Sequence, residues 1–270
     1  EGQGKARETA NRGSAERHAG NDTMDQGIRA VWYDLEDAKR ADYLTWLHDA
    51  YLPEVMARPG ILWAAHYEIT GGGAAMDQIG GVLARMDAGT NANIGTGTDY
   101  LLLIGAGSPH VFFKPDLDQL ERDNAAVRER ISGRIGARTC VFAEEARVNG
   151  PEFDYRIHDS TPGPAIQMGS FCTHSVADEF DLAAWYANYR MPVMARMPGC
   201  IATRKLVSVA AGAKHTELYE FLSLEARAAH FQNHESLALD ETVWTSRIIK
   251  YTVHAPGSPS VGRRIWPEPD

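Results

Sequence analysis

A tandem repeat constrains this chain more than any other feature of its sequence. One frame occurs twice at a constant spacing: a tryptophan, six residues, a proline, five residues and then Pro-Gly. Its positions are Trp46, Pro53, Pro59 and Gly60 in the first copy and Trp185, Pro192, Pro198 and Gly199 in the second. Because tryptophan is rare, two such frames indicate a duplicated structural unit.

The residues around the two frames predict the same order of elements in each half. Pro-Gly ends each tryptophan helix, because proline cannot continue it and glycine tolerates the left-handed turn. The pattern therefore predicts β-α-β-β-α-β twice, the ferredoxin-like order. The predicted strands are 28–34, 61–69, 100–106 and 139–144, then 166–173, 200–208, 217–223 and 247–254; the predicted second helices are 117–136 and 224–234.

We therefore expect an α+β fold in which two ferredoxin-like repeats pack sheet to sheet within one chain. Each repeat alone would leave one apolar sheet face bare, so packing the two faces together gives the duplication a physical reason. The expected boundaries are a disordered extension at 1–23, repeats at 24–148 and 165–254, a linker at 149–164 and a C-terminal arm at 255–270. We expect the arm to lie over the surface, pinned by Trp266.

Composition narrows the function classes. A net charge of −9 disfavours phosphate-backbone binding, so we expect no nucleic-acid partner. No apolar run approaches the roughly 20 residues that span a bilayer, and no secretory signal is visible, so we expect a cytoplasmic protein without a membrane partner. Cys140, Cys172 and Cys200 lie far apart in apolar stretches, which is typical of buried free thiols. We expect a monomer or a homodimer.

The first half carries a Gly-rich insertion, 70–98, between its second and third predicted strands. It lacks the Gly-x4-Gly-Lys-Ser/Thr pattern of a phosphate loop. Long loops inside compact domains are functional or flexible, so two interpretations stay open here, a mobile lid and a plain excursion.

The frame Trp-x6-Pro followed by Pro-Gly at a strand entry resembles the dimeric α+β barrel superfamily, and within it the EthD-like branch (ethyl tert-butyl ether degradation). The resemblance covers 27–148 and 165–254 and implies a pocket between sheet and helices in each unit, with a small apolar or aromatic substrate. EthD-like proteins commonly place a histidine five residues after the tryptophan. Here Tyr51 and Arg190 occupy those positions, so that histidine is absent from both halves.

The prolines inside the tryptophan helices single out the residues before them. Proline removes a backbone donor, so we expect each helix to kink and to present polar groups near the pocket. The candidates are His48, Asp49 and Tyr51 in the first half and Asn188, Tyr189 and Arg190 in the second. The alternative is that Tyr51 and Arg190 only cap or cover the helix surface.

Strand residues supply further candidates. His66 and His174 could act as general acids or bases, although a strand histidine is more often structural. Arg204 could hold a carboxylate or enolate, and Tyr219 could polarise a carbonyl. Trp46, Tyr67, Trp185 and Tyr189 complete the expected substrate-binding set. His230 and His234 share a helix face, but two ligands do not make a metal site, so we expect no metal and no cofactor.

These candidates lead to three functional hypotheses. The first is a cofactor-independent lyase, isomerase or hydrolase that uses His, Tyr and Arg acid–base residues on a small carbonyl or aromatic compound. The second is a non-catalytic small-molecule binding protein, which the missing family histidine favours. The third is a haem-dependent monooxygenase.

Overall fold

The computed structural model describes residues 25–71, 84–86, 94–155, 161–231, 240 and 242–269. The expected extension at 1–23, most of the insertion and His234 lie outside these ranges. The strands are Gly27–Asp34 (β1), Ile61–Gly71 (β2), Ala84–Arg85 (β3), Tyr100–Ala106 (β4), Ile135–Asn149 (β5), Ala165–Thr173 (β6), Cys200–Ala210 (β7), His215–Phe221 (β8), Thr252–His254 (β9) and Ser260–Trp266 (β10).

Eight α-helical segments of the described chain accompany these strands. They are Asp37–Trp46 (α1), Leu52–Met56 (α2), Leu117–Asp123 (α3), Ala125–Ile131 (α4), Val176–Trp185 (α5), Met191–Met194 (α6), Leu224–His230 (α7) and Trp244–Tyr251 (α8). Two π-helical segments, Leu47–Tyr51 and Tyr186–Arg190, join α1 to α2 and α5 to α6. None of the described helices is long and apolar enough to cross a bilayer.

The strands form one sheet whose order is the same in both halves. The first half runs β2-β4-β1-β5 and the second runs β7-β8-β6-β9, with antiparallel pairing inside each half. β5 pairs with β7 and so joins the halves edge to edge. The predicted α+β class with antiparallel pairing is confirmed.

The C-terminal tail does not form the surface arm that the sequence predicted. Ser260–Trp266 is a strand that pairs with β2 on one side and with β6 on the other, which closes the sheet. β6 divides its free edge between two partners, β10 along Ala165–Met168 and β9 along Phe171–Thr173. Closure removes the exposed edges that β2 and β6 would otherwise present.

Two predicted elements differ from the structure. Residues 247–251 belong to helix α8 and only Thr252–His254 is a strand. The predicted helix 117–136 is two short helices, because the Asn124 side chain accepts from the backbone N–H groups of Ala126 and Val127 and so starts a new helix. Ile135 and Gly136 already belong to β5.

The interior of the closed sheet is a core that both halves share. Its apolar members include Trp32, Trp63, Phe142, Ile166 and Leu218, from strands of both halves. Arg204 is fully buried beside it, where Nη1 donates to Asp25 Oδ2 at 2.8 Å and Nε donates to Glu144 Oε2 at 2.6 Å. Buried charges of this kind are stable only when they are paired.

The prolines of the repeat are accommodated by a change of helical register in the turn before each proline. The N–H of Leu52 bonds to the carbonyl of Leu47, and the N–H of Met191 bonds to that of Tyr186, both with i→i+5 spacing. The proline one residue later cannot donate, so the turn before it widens. Such π-helical turns occur frequently at functional sites, and here they position Tyr51 and Arg190.

Candidate functional site

A cavity lies between the sheet and the helices of the second half. Its volume is about 90 Å³, and it opens to the surface. The lining comes from β6, β8, β9, α5, α8 and the second π-helical segment, and it includes Gln167, Phe171, Trp185, Tyr186, Arg190, Glu217, Tyr219, Ile248 and His254. Three predicted residues, Trp185, Arg190 and Tyr219, therefore meet at one place.

Arg190 is a buried cation without a carboxylate partner among the described residues. It is 4% exposed, and its Nε and Nη1 atoms make no hydrogen bond. Its guanidinium carbon lies 4.7 Å from the ring centre of Trp185 and 5.2 Å from that of Phe231. Aromatic faces stabilise a cation, but they leave its N–H groups free to donate to a ligand.

Glu217 lies in the same cavity, on β8. It is 1% exposed, and neither carboxyl oxygen makes a hydrogen bond of good geometry in the described part of the chain, although the Tyr186 hydroxyl is near enough to lower the pKa of the carboxyl group. Burial raises the pKa of Glu217 well above its usual range, against the opposing effect of Lys205 and Arg190. Burial therefore favours the neutral carboxylic acid, which can donate a hydrogen bond, as Trp185 Nε1 also can, since it too is without a partner among the described residues.

At the equivalent place between the sheet and the helices of the first half, polar side chains of that half bond to one another. Tyr51, at the position equivalent to Arg190, donates to Glu121, and Arg29 Nη2 donates to the other oxygen of that carboxylate at 3.1 Å. A groove of about 230 Å³ lies outside this cluster, between α2 and the α3–α4 pair. The polar side chains at the bottom of this groove already bond to one another, whereas the Glu217 carboxyl and the Nε and Nη1 atoms of Arg190 in the second-half cavity make no such bond among the described residues.

His48 and His66 belong to a second polar chain in the first half. His66 Nε2 lies 2.8 Å from the Tyr33 hydroxyl, and His66 Nδ1 lies 2.8 Å from His48 Nε2. Burial lowers the pKa of His66 well below its usual value, with His48 and Arg134 acting in the same direction. His66 is therefore a neutral, hydrogen-bonded residue of the core.

The other predicted site residues lie elsewhere. Asp49 and His174 are exposed on the surface. Trp46 packs on Tyr43 and Tyr51, and Tyr189 packs on Trp185. Tyr67 and Arg204 do not line the cavity: the Tyr67 hydroxyl donates to the Gly163 carbonyl inside the closed sheet, and Arg204 is held by Asp25 and Glu144.

Glu217, Tyr186 and His254 also line the cavity, although the sequence patterns did not predict them as site residues. A signal for Glu217 was available, because side chains two residues apart in a strand share a face, and Tyr219 was already a candidate. His254 could not be assigned in this way, since its strand is three residues long and follows a helix.

The pKa of His66 leads to a prediction about acid stability. The unfolded chain takes up a proton near pH 6.5, whereas folded His66 takes it up only at lower pH, so the stabilising contribution is complete above that pH and is lost on acidification through the folded pKa. We expect His66→Gln to flatten the fall of unfolding free energy below about pH 6.5, measured by urea denaturation across pH. Exposed His174→Gln is the control, and equal slopes in all three proteins would contradict the prediction.

The three cysteines form no disulfide. Burial raises the pKa of Cys140 to about 11 and that of Cys200 to about 12, so both remain thiols at neutral pH. Cys140 and Cys200 confirm the expectation of buried free thiols, while Cys172 is half-buried. Among the described residues, no group of three metal-binding side chains is placed to hold an ion.

Comparison with solved structures identifies the fold. An anthrone oxidase-like protein superposes with a TM-score of 0.52 at 12% identity, covering 90% of this chain and 92% of that one. A proposed monooxygenase from Fusobacterium nucleatum gives 0.51 at 8% identity, covering 88% and 92%. A haem-binding protein from Thermus thermophilus gives 0.45 at 12% identity, covering 88% and 90%. No protein-family model and no curated protein matches the sequence.

These similarities show the dimeric α+β barrel fold that the repeat predicted. They also correct the predicted function: the anthrone oxidase-like protein and the Fusobacterium nucleatum protein are named for oxidative reactions, so the prediction of a cofactor-independent lyase, isomerase or hydrolase is wrong.

Haem does not fit the second-half cavity. Its volume of about 90 Å³ is well below the roughly 300 Å³ at which sites for drug-sized molecules begin. The imidazole that lines it, His254, has Nε2 3.2 Å from the Thr252 hydroxyl and Nδ1 3.5 Å from the Ser258 hydroxyl. Neither nitrogen is directed at open space that an iron ligand would require.

Proposed function

We propose that this protein is an enzyme that oxidises a small aromatic or carbonyl compound in the cavity of the second half. The observation that carries the proposal is the presence of Arg190 and Glu217 in one cavity, both buried, with Nε and Nη1 of Arg190 and both carboxyl oxygens of Glu217 unpaired in the described chain. Each unsatisfied buried polar group costs roughly 1–3 kcal/mol, so a fold keeps two of them together where a ligand completes them.

The architecture of the two halves and the similarity to an oxidase-like protein also support this proposal. We infer that the halves are two ferredoxin-like repeats, because each has the strand order second, third, first and fourth. The repeated Trp-x6-Pro frame supports placement near the EthD-like branch, and the similarity to an anthrone oxidase-like protein supports oxidation.

The chemistry follows from the hydrogen-bond donors. Arg190 Nε and Nη1 and the protonated Glu217 carboxyl can all donate to one substrate oxygen, and together they stabilise the negative charge that forms on it when the substrate releases a proton to solvent water at the opening of the cavity. A buried carboxylic acid kept neutral is an effective donor of this kind. The resulting enolate or phenolate is electron-rich at carbon, the form that reacts with dioxygen.

The overall reaction balances without an external reductant. A methylene group beside an aromatic carbonyl becomes a carbonyl group, dioxygen supplies one oxygen atom to it, and the other leaves as water with the two hydrogens. The substrate provides all the electrons. The chain's own residues bind the substrate oxygen, orient the ring against Phe171 and Tyr219 and exclude water from the anion.

Oxygen uptake with a panel of small enolisable ketones and phenols, anthrone included, tests the proposal. We expect Arg190→Met to lower kcat/KM by about 100-fold, the effect of losing one charged donor to an oxyanion. Glu217→Gln retains a neutral donor, so we expect it to keep more activity than Glu217→Leu. Equal activity of all variants, or tight ligand binding without any oxygen uptake, would contradict oxidation in this cavity.

A further inference from the structure

The charges around the second-half cavity do not cancel. Lys205, on the neighbouring strand β7, is already paired with Glu145. The titratable groups that line the cavity are Arg190, Glu217, His254 and two tyrosines, Tyr186 and Tyr219. Burial raises the pKa of Glu217 well above its usual range, lowers the pKa of His254 to about 4 and raises the pKa of Tyr186, so it favours the neutral form of all three groups.

Arg190 is a cation that no described residue lining this cavity pairs with, since its Nε and Nη1 atoms make no hydrogen bond there. An isolated buried cation carries a desolvation cost of several kcal/mol, which a partner of opposite charge offsets. Trp185, Tyr219 and Phe231 offer aromatic faces to Arg190, and no hydrogen bond joins its Nε or Nη1 to Glu217, the carboxyl group that shares the cavity. The missing partner is a negative charge on the ligand.

The shape and lining of the cavity limit the rest of that ligand. Phe171, Tyr219 and Ile248 are apolar or aromatic surfaces around the guanidinium, and Pro259 lies beside them. A volume of about 90 Å³ accommodates the charged end of a small molecule, with the remainder extending through the opening. A large or highly polar anion such as a nucleotide would leave its other polar groups unsatisfied here.

We infer that the ligand of this cavity is a small aromatic anion, bound with its charged oxygen on Arg190 and accepting a hydrogen bond from Glu217. The inference rests on the proposed site but adds the charge of the ligand before any reaction occurs. A phenolate and an aromatic carboxylate share this chemistry, and both satisfy Arg190 with one or two oxygen atoms.

Binding of 4-nitrophenol to the full-length protein tests the inference, because its absorption spectrum reports its ionisation. We expect it to bind as the phenolate at a pH where the free compound is neutral. We expect its methyl ether, 4-nitroanisole, to bind at least about 10-fold more weakly, since hydrogen bonds to charged groups contribute roughly 10- to 100-fold. Benzoate competition distinguishes the sources: stronger binding of benzoate identifies a carboxylate, and weaker binding identifies a phenolate.

Substitutions of Arg190 test whether the charged oxygen of the ligand binds to this residue. We expect Arg190→Met to weaken nitrophenolate binding roughly 10- to 100-fold, with Arg190→Lys intermediate because it keeps the charge and loses the planar donors. Arg134→Met is the matched control, another buried arginine packed on aromatic rings, 4.8 Å from the Tyr33 ring centre in the first half, and it should leave binding unchanged.

The outcomes separate this inference from the proposed reaction. Equal affinity for 4-nitrophenol and 4-nitroanisole, or unchanged binding by Arg190→Met, overturns the anionic ligand even if oxygen uptake is observed. Binding of the phenolate on Arg190 without oxygen uptake by any substrate supports the anionic ligand and overturns only the oxidation.

Discussion

Replacing Glu217 with leucine is expected to make the ligand-free protein more stable while abolishing its activity. Glu217 is 1% exposed and its carboxyl oxygens have no partner in the described chain, so burying it costs roughly 1–3 kcal/mol that an apolar side chain does not incur. Leucine offers no donor to a substrate oxygen, so oxygen uptake should fall to the background rate. Urea denaturation and an oxygen electrode measure the two effects.

Glu220 is the matched control on the same strand. It points to the opposite face, into the closed sheet, and its Oε2 accepts from the backbone N–H of Gly163 at 3.0 Å. Glu220→Leu leaves that donor unsatisfied, so we expect a loss of stability where Glu217→Leu brings a gain. Equal destabilisation by both substitutions would show that Glu217 is a structural residue.

The second large effect is expected at Arg204. Replacing it with methionine should lower the free energy of unfolding by about 3–5 kcal/mol, the usual cost of removing one partner from a buried ion pair. The change leaves Asp25 and Glu144 as buried carboxylates that have lost a cation, and both are almost completely inaccessible to solvent. Denaturant titration monitored by tryptophan fluorescence measures the loss.

Arg263→Met is the control for Arg204. Arg263 forms an ion pair with Glu68 across β10 and β2, but its side chain is 63% exposed, so removing it should cost no more than about 1 kcal/mol. Anion binding in the second-half cavity should survive in both variants, provided that each is measured below its denaturation midpoint. Similar losses at Arg204 and Arg263 would contradict a buried network that supports the interior.

Most of the elements could be predicted from the sequence because their periodicity is local. β4 has the predicted bounds, 100–106, and β1, β2, β6 and β7 match within two residues at each end. Helix α8 was predicted as a strand because its Ile-Ile-Lys-Tyr run is typical of strands. Packing reversed that preference, since Ile248 is buried against Phe171 and Leu182 in a helical turn.

The candidate site was predictable only in part. The repeat identified Trp185 and Arg190, and the strand pattern identified Tyr219, because these signals depend on residues near one another in the chain. Glu217 could not be identified from the sequence as an unpaired buried carboxyl group, because its lack of hydrogen-bond partners is a property of the tertiary structure. Arg204 was misplaced because a strand pattern defines two faces but does not say which one lies against the helices.

By itself, the sequence determined that one structural motif occurs twice. It also determined that a candidate residue stands at the same position before the proline in each copy. Repetition of Trp-x6-Pro and Pro-Gly is enough for that, since helix breaking and turn formation are local properties. The tertiary structure alone decided which copy keeps unpaired polar groups. Tyr51 donates to Glu121, a residue 70 positions away, so the polar groups at the first-half groove are paired, whereas Nε and Nη1 of Arg190 make no hydrogen bond in the described chain at the second-half cavity.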